Sequence, residues 1–139
     1  MLLHPILDKL QSLRFFGMHC AYEEQLQMVD IDQLSFDERL GLLVDREMTE
    51  RDNRRLKTRL RKARLRVNAC VEDVDFRHRR GLDKALFMQL AGCRWIKDAN
   101  NVLIVGPTGV GKTYLGCALA HKACRQGYSA LYFRLPRLL

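Results

Sequence analysis

The chain is expected to fold as an all-α N-terminal region followed by an α/β unit, and three observations lead there. Apolar residues recur every three to four positions through much of residues 1–70, the period of a helix with one buried face. Asn101-Val102-Leu103-Ile104-Val105 is instead short, largely apolar and β-branched, as a strand buried on both faces is. Between this run and a further helical stretch, residues 114–123, lie eight residues with the spacing G-x-x-x-x-G-K-[ST]. Strand, glycine loop and helix in that order are the setting of a phosphate-binding loop.

The 139 residues suffice for one domain, or for a small domain plus part of another, and a hydrophobic content of 47% supports a packed core. No apolar run approaches the ~20 residues needed to span a bilayer, and the first residues lack the basic and apolar segments of a signal peptide. Five cysteines, odd in number and never spaced C-x-x-C, fit reduced thiols and a cytoplasmic protein.

Leu3, Leu7, Leu10 and Leu13 form the apolar stripe of a first helix, and Pro5 suits its first turn, where a missing N–H is harmless. Gly17 is expected to interrupt it, leaving a second short helix through Tyr22, Leu26 and Met28, with Phe15 and Phe16 in the core. Ser35-Phe36-Asp37-Glu38 is a capping box: the Ser35 hydroxyl accepts from the N3 amide, and the Glu38 carboxylate reaches back to the Ser35 amide. Phe36, Leu40, Leu43, Val44 and Met48 then define the apolar face of a long helix, which measures about 48 Å if unbroken to Arg66. Within it, Leu42-Leu43-Val44-Asp45-Arg46-Glu47 imitates an apolar-then-acidic, magnesium-holding strand. Its place in a capped amphipathic helix assigns it to that helix instead.

The second half of this helix is strongly basic. Residues 51–66 carry nine cations, Arg51, Arg54, Arg55, Lys57, Arg59, Arg61, Lys62, Arg64 and Arg66, against one acid, Asp52. The rest of the chain is balanced, so the whole formal charge of +8 sits in this run. Like charges at helical spacing repel, and a polyanion relieves them. Nucleic acid, an acidic protein partner and plain solvation are the readings open here. For nucleic acid the contacts fall to Arg51, Arg54, Arg55, Lys57, Arg59, Arg61, Lys62 and Arg64. With no aromatic residue in the window, they are contacts to phosphate rather than to stacked bases.

From residue 67 to 100 the chain reads as a connector. An acidic, extended Val71-Glu72-Asp73-Val74-Asp75-Phe76 gives way to basic Arg77-His78-Arg79-Arg80 and a breaker, Gly81. Leu82, Leu86, Met88 and Leu90 suggest a helix, with Trp95 and Ile96 near its end and Trp95 buried against the first strand. After the glycine loop, Gly127 suits a helix terminus and Ser129-Ala130-Leu131-Tyr132-Phe133 reads as a second strand, making a right-handed βαβ unit. The organisation expected is residues 1–70 as a helical DNA-binding region and 71–139 as connector and nucleotide domain.

The loop explains its own composition. Gly106, Gly109 and Gly111 remove the Cβ atoms that keep a backbone away from phosphate oxygens, and they permit left-handed φ. The N–H groups of Gly106, Pro107 excepted, Thr108, Gly109, Val110, Gly111, Lys112, Thr113 and Tyr114 can then form an anion nest at a helix N-terminus. Lys112 supplies a point charge to the outer phosphates and the Thr113 hydroxyl is a ligand for Mg²⁺. Phe76 is a candidate for contact with a nucleotide base. Cys117, His121 and Cys124 share one face of the following helix but have no evident fourth partner for a metal; buried thiols are the ordinary reading.

Taken in order, several of these stretches resemble the IstB/DnaC-like family of AAA+ ATPases, and the IstB transposition helpers more than the helicase loaders. They are Ser35-Phe36-Asp37-Glu38-Arg39-Leu40, Arg54-Arg55-Leu56-Lys57-Thr58-Arg59-Leu60, Glu72-Asp73-Val74-Asp75-Phe76, the run from Asn101 through Thr113, and Gly127-Tyr128-Ser129-Ala130. The resemblance implies an incomplete AAA+-like P-loop fold that binds ATP and Mg²⁺, holds double-stranded DNA and acts with a transposase, as a homo-oligomer in the full-length family. The alternative it implies is a helicase-loader-like module that docks on a replication protein. Tyr114 stands where family loops often carry His. The acidic strand, sensor and arginine that complete hydrolysis in the family have no counterpart here, so a C-terminally truncated chain without useful ATPase activity of its own is expected.

Overall fold

The computed structural model describes residues 4–78 and 80–138, the last two by backbone alone. Leu3 of the first apolar stripe and Arg79 of the connector lie outside the described residues. Two compact units emerge, Met1–Arg55 and Leu56–Leu139. Their division falls inside one helix, α3 (Phe36–Ala63).

In the first unit, α1 (Pro5–Ser12) and α2 (Phe16–Gln27) pack together and the N-terminal half of α3 packs against α2. Pro5 opens α1 as expected. The break between α1 and α2 lies at residues 13–15 and not at Gly17. The amides of Arg14 and Phe15 donate to the carbonyls of Gln11 and Leu10 while Arg14 turns left-handed, φ 62°. That is a Schellman termination with arginine in the position glycine usually takes.

Gly17 instead sits inside α2 because of what lies across from it. A Cβ there meets the Arg46 carbonyl oxygen at 2.7 Å and Glu47 Cα at 2.8 Å, so only glycine lets the two helices approach this closely. Phe15, the residue before α2, has no side-chain cap to offer, and the Glu47 carboxylate supplies one from α3. Its Oε1 accepts from the amides of Gly17 at 3.0 Å and Met18 at 3.2 Å.

The capping box at the start of α3 forms as expected. Ser35 N–H donates to Glu38 Oε2 at 2.8 Å and Glu38 N–H donates to Ser35 Oγ at 3.2 Å. The helix ends at Ala63, three residues early, where Arg64 turns left-handed with φ 51°. Its expected apolar face is not the buried one: Phe36, Leu40, Val44 and Met48 are exposed, and Glu47, facing α2, is 7% exposed.

The second unit is built around α6 (Lys112–Arg125), which buries Leu115, Cys117, Ala118, Leu119, Ala123 and Cys124. Against it pack the 3₁₀ turn Val71–Asp73 and α4 (Lys84–Ala91), whose first turn is capped by the Asp83 side chain accepting from Ala85 N–H at 3.0 Å. Two short helices, α5 (Arg94–Lys97) and α7 (Leu135–Leu138), complete it. Phe87 and Val71 lie in the same core, and Phe76 meets Phe87 edge to face at 5.9 Å. Phe76 is thus a half-buried residue packed against this core. Trp95 is half-buried, its indole N–H donating to the Leu90 carbonyl at 2.9 Å, and it lines one cleft with Val102 and Ile104.

The two expected strands are not formed. Among the described residues no strand is assigned, and residues 101–107 and 128–134 carry no regular secondary structure. A strand exists only through its partner's backbone, and two isolated parallel segments are marginal in water. The Tyr132 amide, which a ladder would use, donates instead to the Ala63 carbonyl at 2.8 Å. Leu103 and Val105 are left 85% and 78% exposed.

Candidate nucleotide site and cationic surface

The glycine loop takes the shape its residues allow. Gly109 and Gly111 have φ of 90° and 91°, in the left-handed region, and α6 begins immediately afterwards at Lys112. The loop therefore delivers its backbone to the positive end of a 14-residue helix. Gly106, Pro107, Thr108, Gly109 and Thr113 are exposed, so the concave backbone is open to an incoming ligand. The Lys112 ammonium folds back and donates to the Gly106 carbonyl at the loop's first residue. Lys112 and Thr113 also border an open cleft of about 400 Å³ shared with Ile104, Gly116 and Tyr132. Exposed glycine backbone, an ammonium and a first-turn hydroxyl on one helix N-terminus are the donor set that a magnesium-bound triphosphate requires, and these residues fit it.

One participant is absent from any sequence motif. The Arg80 Nη1 donates to the Val110 carbonyl at 3.0 Å and its Nη2 to the Asp75 carbonyl at 2.6 Å, tying the connector to the loop. A Cβ on Gly111 meets Arg80 Nη1 at 2.8 Å, so this glycine serves the arginine as well as the turn. The contact spans 30 positions, and nothing local in the sequence signals it.

The face of α6 carrying Cys117, His121 and Cys124 is structural. Cys117 and Cys124 are 2% and 0% exposed, and burial pushes the Cys124 thiol up and the His121 imidazole down from their ordinary pKa values. Among the described residues, no three His, Cys, Asp or Glu side chains are grouped to hold a metal.

The cations of residues 51–64 are not equivalent. Arg51, Arg54, Arg55, Lys57, Arg61, Lys62 and Arg64 are exposed. Arg59 is half-buried, and its Nε donates to the Cys124 carbonyl at 2.9 Å, at the negative end of α6. Arg51 donates to Glu47 Oε2 at 2.8 Å, Arg54 lies 3.7 Å from the same oxygen, and Arg55 pairs loosely with Asp52 at 3.8 Å. Burial opposes ionisation of Glu47, yet the bonds from Arg51, Met18 and Gly17 together hold its carboxyl below the ordinary value.

A glycine loop of this spacing, entering a helix whose first residues are lysine and threonine, is the arrangement that defines the P-loop class of nucleotide-binding proteins. Residues 8–139 match the family described as IstB-like ATP binding protein, and the chain belongs to that family. It is 52% identical over its whole length to a protein of Pseudomonas fluorescens named for ATP binding in insertion sequence IS1162, of which it covers 61%. A Sinorhizobium fredii protein, similarly named for an insertion sequence, is 53% identical over 99% of the chain and covered to 56%. A Pseudomonas aeruginosa counterpart in insertion sequence IS21 is 31% identical over 99% of the chain and covered to 52%. The chain thus spans between half and two thirds of these relatives. Among the described residues no helix is long and apolar enough to cross a membrane.

Proposed function

We propose that this protein binds ATP with Mg²⁺ at residues 106–114 and double-stranded DNA through the cations of residues 51–64, in the service of insertion-sequence transposition. The observation that carries this reading is the open loop of left-handed glycines delivered to the N-terminus of α6. The backbone amides of the loop bind phosphate oxygens, Lys112 turns from the Gly106 carbonyl to the outer phosphates, and Thr113 offers its hydroxyl to the metal. Bound Mg²⁺ neutralises phosphate charge and fixes the triphosphate's geometry. On the DNA side the exposed arginines and lysines bind backbone phosphates without reading sequence. The relatives are named for ATP binding and for insertion sequences, which supports the link to transposition; a transposase partner, a cytoplasmic location and self-association belong to the same proposal. In the same reading, residues 101–105 and 129–133 keep strand-forming sequences that enter an α/β sheet once further strands pair with them.

The test is titration of a fluorescent ATP analogue with Mg²⁺ against the wild type and Lys112→Ala. Saturable binding lost in the variant is expected. Equal binding by both refutes the site. DNA binding is checked separately by anisotropy of a labelled duplex across a salt series, where a steep fall of affinity with salt is expected and no binding at low salt refutes it.

A further inference from the structure

The turn between α1 and α2 comes to lie beside the middle of α3, and there four guanidinium groups line one groove of about 290 Å³: Arg14, Arg51, Arg54 and Arg55, with Leu13. Two of them are held in place from beneath. Arg51 lies 5.2 Å over the Phe15 ring and Arg54 5.4 Å over the Phe16 ring, and Glu47 anchors both. Glu47 offsets only part of the groove's charge: its single carboxylate is shared between Arg51 and Arg54, with Oε1 also taken up by the Gly17 and Met18 amides. Asp52 answers only Arg55, at 3.8 Å. The lining is therefore net cationic.

Arg14 adds a second, independent observation. It occupies the left-handed position of the Schellman turn, φ 62°, where glycine is favoured and a side chain strains the backbone. Among the described residues its guanidinium makes no hydrogen bond or ion pair that would reward keeping it. A cation retained against the conformational preference of its own turn, opposite two pre-oriented arginines, suits an anion that bridges the α1–α2 turn and α3. Planar guanidinium forks match phosphate bidentately. Each of the two aromatic rings has an arginine over it and neither lines the groove, so the matching surface is a phosphodiester backbone.

We infer that this groove is a backbone-phosphate site for nucleic acid, with Arg14 as a contact residue that the basic run of α3 does not include. The inference rests on the DNA-binding reading above and adds a residue and a location to it.

The experiment compares the full chain with Arg14→Gly, Arg14→Lys and Arg94→Gln in duplex binding by anisotropy over 50–300 mM salt. Arg14→Gly removes the charge while relieving the turn, so it folds at least as stably as the wild type. One lost phosphate contact lowers the log–log salt slope by about 0.9, or about eightfold in affinity near 0.1 M salt. Arg14→Lys keeps the slope, and Arg94→Gln, an exposed cation far along the chain, changes nothing. Wild-type binding with an unaltered Arg14→Gly slope overturns this inference and leaves the DNA reading standing. No wild-type binding at low salt overturns both, and binding of polyglutamate in place of DNA identifies an acidic protein as the occupant.

Discussion

Two glycines in the N-terminal helices should respond to alanine with opposite signs, and Gly17→Ala carries the larger effect. Its Cβ would sit 2.7 Å from the Arg46 carbonyl oxygen, 2.8 Å from Glu47 Cα and 2.9 Å from Glu50 Cγ. Two of these three atoms are backbone, so relief requires α2 and α3 to separate rather than one side chain to swing away. Overpacking of this kind costs about 1–3 kcal/mol. Separation also stretches the Gly17 and Met18 amide bonds to the Glu47 carboxylate, and bonds to a charged group contribute about 1.5–3 kcal/mol. Alanine returns at most about 1 kcal/mol of helix propensity. The net loss should be about 2–4 kcal/mol. At Gly41 an added Cβ meets nothing within 4 Å, so Gly41→Ala should gain about 0.5–1 kcal/mol. Hydrogen exchange at the α2 amides, read by mass spectrometry on both variants and the wild type, measures this directly. Protection in Gly17→Ala equal to or above that in Gly41→Ala would show that the close helix approach does not govern this unit.

The same carboxylate sets a pH dependence. Because Glu47 is held below its ordinary pKa, its ionised form stabilises the first unit above the unfolded value of about 4.3, and that contribution fades as pH falls through the lower folded value. Helical circular dichroism followed from pH 7 to 3 should show an acid-labile component that Glu47→Gln removes, leaving a less stable but flatter profile. Arg59→Met should destabilise the Leu56–Leu139 unit by about 1.5 kcal/mol through the lost Cys124 bond, whereas Arg61→Met should not. The single tryptophan, Trp95, reports that unit's urea transition by fluorescence. Arg80→Ala should weaken binding of the ATP analogue by about tenfold, since it releases the Val110 carbonyl and leaves the loop unbraced. Unchanged affinity would show that the loop holds its shape without the arginine.

What could be read from the sequence was what is decided locally. The capping box needs only Ser35 and Glu38, three residues apart, and it formed. The glycine loop carries its own conformation in Gly109 and Gly111 and is found as spaced. Gly17 was legible as unusual but not as what it is, because the reason for it lies on another helix about 30 residues away. Glu47 and Arg80 belong to the same kind: a cap and a brace supplied across the fold leave no trace in local periodicity. The apolar ridge of Phe36, Leu40, Val44 and Met48 marks helical period faithfully, yet period does not say which face is covered. The strand expectations failed for a related reason, since residues 101–105 have strand character but a strand is made by its neighbours.

The bond from Arg59 to the Cys124 carbonyl has a mechanical consequence. Helix α6 starts at the phosphate loop and, over 14 residues, runs about 21 Å to the end that Arg59 grips. Between those ends the helix is packed into the core of its unit, against the 3₁₀ turn Val71–Asp73 and α4, so it moves only with that core. The phosphate loop and the carbonyl that Arg59 holds are therefore opposite ends of one core helix, and a displacement of Lys112 and Thr113 would have to move that helix as a whole to reach Arg59.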